Sequence, residues 1–148
     1  MHGITAFLVP GETDGLPIRR SIPVIRPKYP YEIQVDDVRV SEENVLGTVG
    51  EGLDLDEECF GETRILYAAH SLGPINQSFR MWVEWANDRE VGGEPLAGRQ
   101  AVQWKLAESA IDFHQAKHAV YHAAWVHDQG RDVRHLSSLA KYVATERL

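Results

Sequence analysis

From Leu53 to Gly130 the sequence gives a folding chain few places to stop being helical, and this constrains it more than any other feature. Apolar residues there recur at three- and four-residue intervals, which gathers them on one side of a helix. A first helix is expected from about Leu53 to Asp88, with Ile65, Ala69, Leu72, Phe79, Trp82, Val83 and Ala86 as its core stripe. Gly73-Pro74 lies inside it. Proline removes a backbone donor and crowds the preceding turn, so a kink is expected there, with a division into two segments as the alternative. The stretch Asn87 to Ala107, centred on Gly92-Gly93-Glu94-Pro95, turns the chain into a second helix from about Arg99 to Gly130. That helix carries one stripe of Val102, Leu106, Ala110, Phe113, Val120 and Ala124, and another of Trp104, Ile111, His118 and Trp125. Two stripes imply cover on more than one side, as in a bundle. Gly130 is the stop signal, and Asp132 or His135 opens a third helix from Leu136 to Leu148.

The first fifty residues follow a different rule. Gly3 to Val9 is β-branched and aromatic, and Pro10-Gly11 ends it. Ile18 to Ile25 reads as an edge strand interrupted by Pro23. In Tyr31 to Val40, the side chains of Tyr31, Ile33 and Val35 alternate with Glu32, Gln34 and Asp36, a half-buried strand pattern. Val38 and Val40 break that parity, which predicts a bulge or a new strand near Asp36-Asp37. Ser41 to Gly47 reads as a short capped turn, and Thr48 to Gly52 as a flexible loop into the first helix. The expected fold class is therefore α+β and mainly α: a short antiparallel β segment followed by long antiparallel helices.

Composition narrows the functions. A net charge of −7 lacks the basic footprint that a general nucleic-acid surface needs. A single cysteine, Cys59, excludes an intrachain disulfide framework and a multi-cysteine zinc site. It is expected as a buried apolar residue. No apolar run has membrane-spanning length, and the amino terminus shows no signal-peptide pattern, so the expectation is a cytoplasmic protein.

Three groups of polar residues could carry chemistry. His114, His118 and His122 recur one helical turn apart with His127 nearby, a spacing that can serve a metal. The row lacks an obvious third ligand, so a solvated or bundle-facing row is the favoured reading and a helical metal-binding protein the alternative. Arg19, Arg20, Arg26 and Lys28 read as a solvated basic face. Glu57, Glu58, Glu62, Thr63 and Arg64 could form a carboxylate or phosphate site on the first helix, or intrahelical ion pairs. Arg89 at the end of that helix could simply complement the helix dipole.

Several stretches together resemble one known protein family. Gly3 to Val9 is similar to a strand late in that family's middle β domain. Val35-Asp-Asp-Val-Arg-Val-Ser-Glu-Glu-Asn-Val-Leu-Gly47 with Gly50-Glu-Gly52 resembles its crossing into the helical domain. Thr63-Arg64 and Ala68-Ala69 with Gly73 look like the first helix after that crossing. Arg89, Gly93, Pro95-Leu96, Gln100 and Leu106-Ala107 resemble the pattern R-x-Q-F-G-x-P-I-x-x-x-Q-x-x-x-x-x-L-A, and Ala123-Ala124-Trp125 and Ala140-Lys141 follow in order. These stretches are those of the acyl-CoA dehydrogenase family of flavoproteins, and the resemblance covers essentially the whole chain.

The resemblance implies that residues 1–50 are the end of the middle β domain, and residues 51–148 the beginning of the helical domain, an incomplete four-helix bundle. It implies FAD as cofactor, with Arg89 and Gln100 contacting the flavin nucleotide of a neighbouring subunit in a homo-oligomer, a dimer or tetramer. Gly61, Glu62, Thr63 and Arg64 would line the acyl-CoA site. The implied reaction is α,β-dehydrogenation, in which a carboxylate takes the α-proton and the flavin accepts the β-hydride. The sequence departs from the family pattern in three places. Thr63 stands where some members carry the base, and no other residue matches a catalytic base or a metal ligand. Val91-Gly92-Gly93 replaces Q-F-G, with Glu90 and Glu94 adding negative charge. Ile25 to Tyr31 replaces the usual Gly- and Ser-containing segment. The chain by itself is thus expected to be inactive and to purify without flavin. The alternative is a standalone, non-enzymatic helical module for interaction or oligomerisation.

Overall fold

The computed structural model describes residues 3–25 and 29–146. Two compact units divide the chain, Met1–Asp56 and Glu57–Leu148.

The first unit is built from two antiparallel ribbons. Strand β1 (Ala6–Phe7) pairs with β4 (Val45–Leu46), and β2 (Ile18–Ser21) pairs with β3 (Tyr31–Ile33). The strands are shorter than alternation suggests. Pro23 ends the second, and the left-handed backbone of Asp37 (φ 45°) breaks the run after the third, at the place where apolar parity fails. Tyr31, Ile33 and Val35 are exposed, contrary to the half-buried expectation. The opposite row is the organised one: Arg20 Nε donates to Glu32 Oε2 (2.6 Å) and Arg19 Nε to Gln34 Oε1 (2.7 Å) across the ribbon. These pairs absorb half of the basic run; Arg26 and Lys28 lie outside the described residues. Ser41 caps a 3₁₀ turn at Glu42–Asn44, as its sequence suggests.

Helix α1 (Gly52–Asp88) starts in this unit at a crowded point. The Gly52 N–H donates to Ile4 O (2.9 Å), and a Cβ on Gly52 would lie 2.7 Å from Ala6 N. Only glycine admits so close an approach of two backbones.

In the second unit, α1 continues unbroken through Pro74, so two separate segments do not form. Helices α2 (Gln100–Asp128) and α3 (Arg134–Glu146) follow. Gly130, in the left-handed region at φ 67°, stops α2 by donating its N–H to His127 O (2.8 Å). Glu62 of α1 faces His127 of α2, while Ile75 and Phe79 share a cleft with Ser109 and Phe113. Partner numbers fall as α1 advances, so α1 and α2 run antiparallel. Their core is a seam of small side chains: Ile65, Ala68, Ala116, Val120, Ala123, Val126, Val133, Ala140 and Ala144. The largest fully buried side chain is Ser137.

Three expectations for the core fail. Ala110, expected in the first stripe of α2, is exposed. Ala68 is buried and Ala69 exposed, a slip of one position. The stripe of Trp104, Ile111, His118 and Trp125 is exposed, because no helix among the described residues covers that side of α2. Among the described residues no helix is long and apolar enough to cross a membrane.

Candidate functional site

The turn between α1 and α2 is the most tightly specified irregular segment of the second unit. Trp85 O accepts the Arg89 N–H (2.9 Å) at the end of α1, and Arg89 O accepts the Leu96 N–H (2.7 Å) from the returning chain. Between them, the Val91 N–H donates to Glu94 O (2.9 Å) around Gly92 (φ 72°) and Gly93 (φ 85°). Two consecutive left-handed residues define a tight turn that glycine pairs adopt without steric cost. Arg99 locks it from the far side by donating Nη2–H to Val91 O (3.0 Å), while Arg99 O accepts the N–H groups of Val102 and Gln103 at the start of α2. Gln103 Nε2 donates to Ala97 O (2.9 Å). Sequence reading gave Arg99 no role. Its only signal is its place immediately before a helical pattern, and a carbonyl partner eight residues back leaves no periodic trace.

The turn carries Arg89 at one end and Gln100 at the other, both exposed. Among the described residues the Arg89 guanidinium has no ion-pair or hydrogen-bond partner in its side chain. Gln100 is the first residue of α2, where unpaired N–H groups and the positive end of the helix dipole face outward. A free guanidinium beside a helix amino terminus suits a phosphate or pyrophosphate. Glu90 and Glu94 on the same turn oppose that charge.

The four residues Gly61, Glu62, Thr63 and Arg64 lie elsewhere, in the first half of α1. Gly61 is buried, and a Cβ there would meet Val133 Cγ2 at 3.7 Å. Glu62 Oε1 lies 3.4 Å from His127 Nε2. Thr63 Oγ1 donates to Cys59 O (2.9 Å), and Arg64 stacks over the Phe60 ring at 5.5 Å. Glu57 pairs with Arg134 (3.1 Å) at the start of α3. The carboxylates therefore bridge helices instead of forming intrahelical pairs. Cys59 is exposed, not buried, because it faces away from the seam that contains Ile65 and Ala68.

From Arg64 to Asp88 the helix rises by about 36 Å at 1.5 Å per residue, so the chain does not bring this quartet together with Arg89 and Gln100. The one carboxylate of the quartet, Glu62, lies against His127. Thr63 spends its hydroxyl proton on a backbone carbonyl.

The histidine row divides. His114 and His118 converge with their Nε2 atoms 3.0 Å apart, whereas His122 stacks on Trp125 with ring centroids 6.3 Å apart. No group of three or more potential metal ligands forms among the described residues.

Comparison with known proteins fits this arrangement. Residues 50–148 match the family model "Acyl-CoA dehydrogenase, C-terminal domain". The chain is 39% identical over 145 residues to (R)-benzylsuccinyl-CoA dehydrogenase of Thauera aromatica, covering 97% of this chain and 36% of that protein. It is 32% identical over 148 residues to an acyl-CoA dehydrogenase of Bacillus subtilis (strain 168), covering 98% and 39% respectively. Butyryl-CoA dehydrogenase from Megasphaera elsdenii superposes with a TM-score of 0.81 at 30% identity, over 97% of this chain and 38% of that structure. The chain thus spans less than two fifths of the length of these relatives. The matched model accounts for the whole helical unit, and with it the turn at Arg89 and Gln100: the chain belongs to the acyl-CoA dehydrogenase family.

Proposed function

We propose that this chain carries part of an FAD-dependent enzyme that introduces a double bond between the α and β carbons of an acyl-CoA thioester. Residues 1–50 contribute the end of its middle β domain, and residues 51–148 the opening helices of its helical domain. The observation that carries this reading is the α1–α2 turn. It holds Arg89, whose guanidinium has no partner among the described residues, and the amino terminus of α2 at Gln100 on one braced frame. In this reading Arg89 binds the FAD pyrophosphate of a second subunit in a homo-oligomer, and the Gln100 amide orients the same nucleotide. Gly61, Glu62, Thr63 and Arg64 form one wall of the acyl-CoA site, where Arg64 supplies charge and Gly61 lets the helix pack closely against Val133 behind that wall. FAD, when bound, supplies the hydride acceptor. The base that takes the α-proton lies outside this chain.

The test uses the protein at its natural length. Addition of acyl-CoA should bleach its flavin absorbance, and Arg89→Ala should weaken FAD retention about tenfold or more, the scale of a lost charge-assisted hydrogen bond. Failure of every acyl-CoA thioester to bleach bound flavin would reject the reaction. A stoichiometric flavin complex of residues 1–148 alone would reject the shared half-site.

One observation favours a second reading as an association module: Trp104 and Trp125 are 64% and 56% exposed on one side of α2. A natural-length protein that self-associates yet retains no FAD would support it.

A further inference from the structure

Helix α2 places His114 and His118 one turn apart on its exposed face, beyond both candidate sites described above. Their Nε2 atoms lie 3.0 Å apart and the ring planes cross at 74°. Two neutral imidazoles can share one N–H···N hydrogen bond at that distance, but only if one ring carries its proton on Nε2. With both protons on Nδ1, each Nε2 presents a lone pair and no N–H is left to join them.

We propose that His114 and His118 chelate a divalent cation that prefers right-angled ligands, copper above nickel. Two nitrogens each about 2.1 Å from one ion lie about 3.0 Å apart when the angle at the metal is square, and about 3.4 Å when it is tetrahedral. The observed separation of 3.0 Å is that of the square arrangement. His122 does not extend the site, because its ring lies against Trp125. Water fills the remaining positions, so the ion exchanges readily. Coordination also ties two successive turns of α2 together, and a ligand that binds only the folded chain stabilises it by mass action.

The test uses the untagged, chelator-treated chain in a His2→Gln background, which removes the histidine beside the amino terminus as a competing copper ligand. Calorimetry with copper(II) should show one site per chain, with affinity falling from copper through nickel to zinc. Electron paramagnetic resonance of the copper form should report two nitrogen ligands. His114→Gln and His118→Gln should each weaken binding at least tenfold, and His122→Gln should leave it unchanged. Equal binding by the His114→Gln/His118→Gln double variant would overturn the proposal, as would a loss on His122→Gln as large as on His118→Gln.

Discussion

Asp132 organises the start of α3 with a single carboxylate. Its Oδ1 accepts the Arg134 N–H (3.0 Å), and both oxygens accept from the Arg134 guanidinium, which also reaches Glu57 of α1. The guanidinium, then the backbone N–H, hold the carboxyl at about 2 against an ordinary 3.8. The same contacts, with Asp132 first and Glu57 second, raise the affinity of Arg134 for its proton. A depressed carboxyl stabilises the fold above its unfolded value and loses that contribution as pH falls through the folded one. Asp132→Ala should therefore melt a few degrees below the parent at neutral pH, with the two midpoints converging as pH drops from 3.8 toward about 2. Circular dichroism across that range checks it; a gap that stays constant would contradict it. At this scale the sequence was legible where a residue answers to local geometry, and opaque where its partner is distant. Ser41 as a cap and Gly130 as a stop could be read directly. The partners of Glu57 and Glu62 could not, because they sit on other helices. Arg89 and Gln100 became candidates only through resemblance, since neither charge nor period marks them apart from other surface residues.

The turn from α1 to α2 shows what an element demands of its residues. Gly92 and Gly93 are both left-handed, and a Cβ on Gly93 would meet nothing within 4 Å. A substitution at Gly93 therefore costs backbone strain alone. Gly93→Ala should lower stability by about 1 kcal/mol, and Gly93→Asn by less, because asparagine tolerates that conformation. Urea unfolding of the two variants measures the difference; equal losses would mean that side-chain contacts, not backbone strain, set the cost. Helices were the readable elements. Both long ones begin and end within two residues of their periodic patterns, and Pro74 did not divide the first. Their buried faces were harder to place. Hydrophobicity cannot separate Ala68 from Ala69, and only the close approach of α2 and α3 selects Ala68. Strands were over-read, since a β-branched run states a propensity but not where a partner strand stops. Gly3 to Val9 reduces to a two-residue strand because β4 offers only Val45 and Leu46 to pair with.

The whole chain exposes 11542 Å². A folded monomer of its mass exposes about 7,600 Å², and two separate domains of this total length about 9,000 Å². The excess over either figure is larger than the roughly 1,600 Å² of a standard protein interface. Ile111, Tyr121, Leu139 and Tyr142 contribute to it alongside the two tryptophans of α2. Residues 1–148 alone should therefore associate, with a light-scattering mass above 16.7 kDa that rises with concentration; a monomer at every concentration would contradict this. The alanine seam among α1, α2 and α3 bears on how such a chain holds its alignment. Large interlocking side chains fix the axial position of one helix against another, as teeth fix two gears. The five alanines of the seam, Ala68, Ala116, Ala123, Ala140 and Ala144, are smooth and let the helices approach closely, and Ile65, Val120, Val126 and Val133 are its few teeth. Glu57 with Arg134 and Glu62 with His127 add two exposed polar bridges at the rim, which act as light pins beside those teeth.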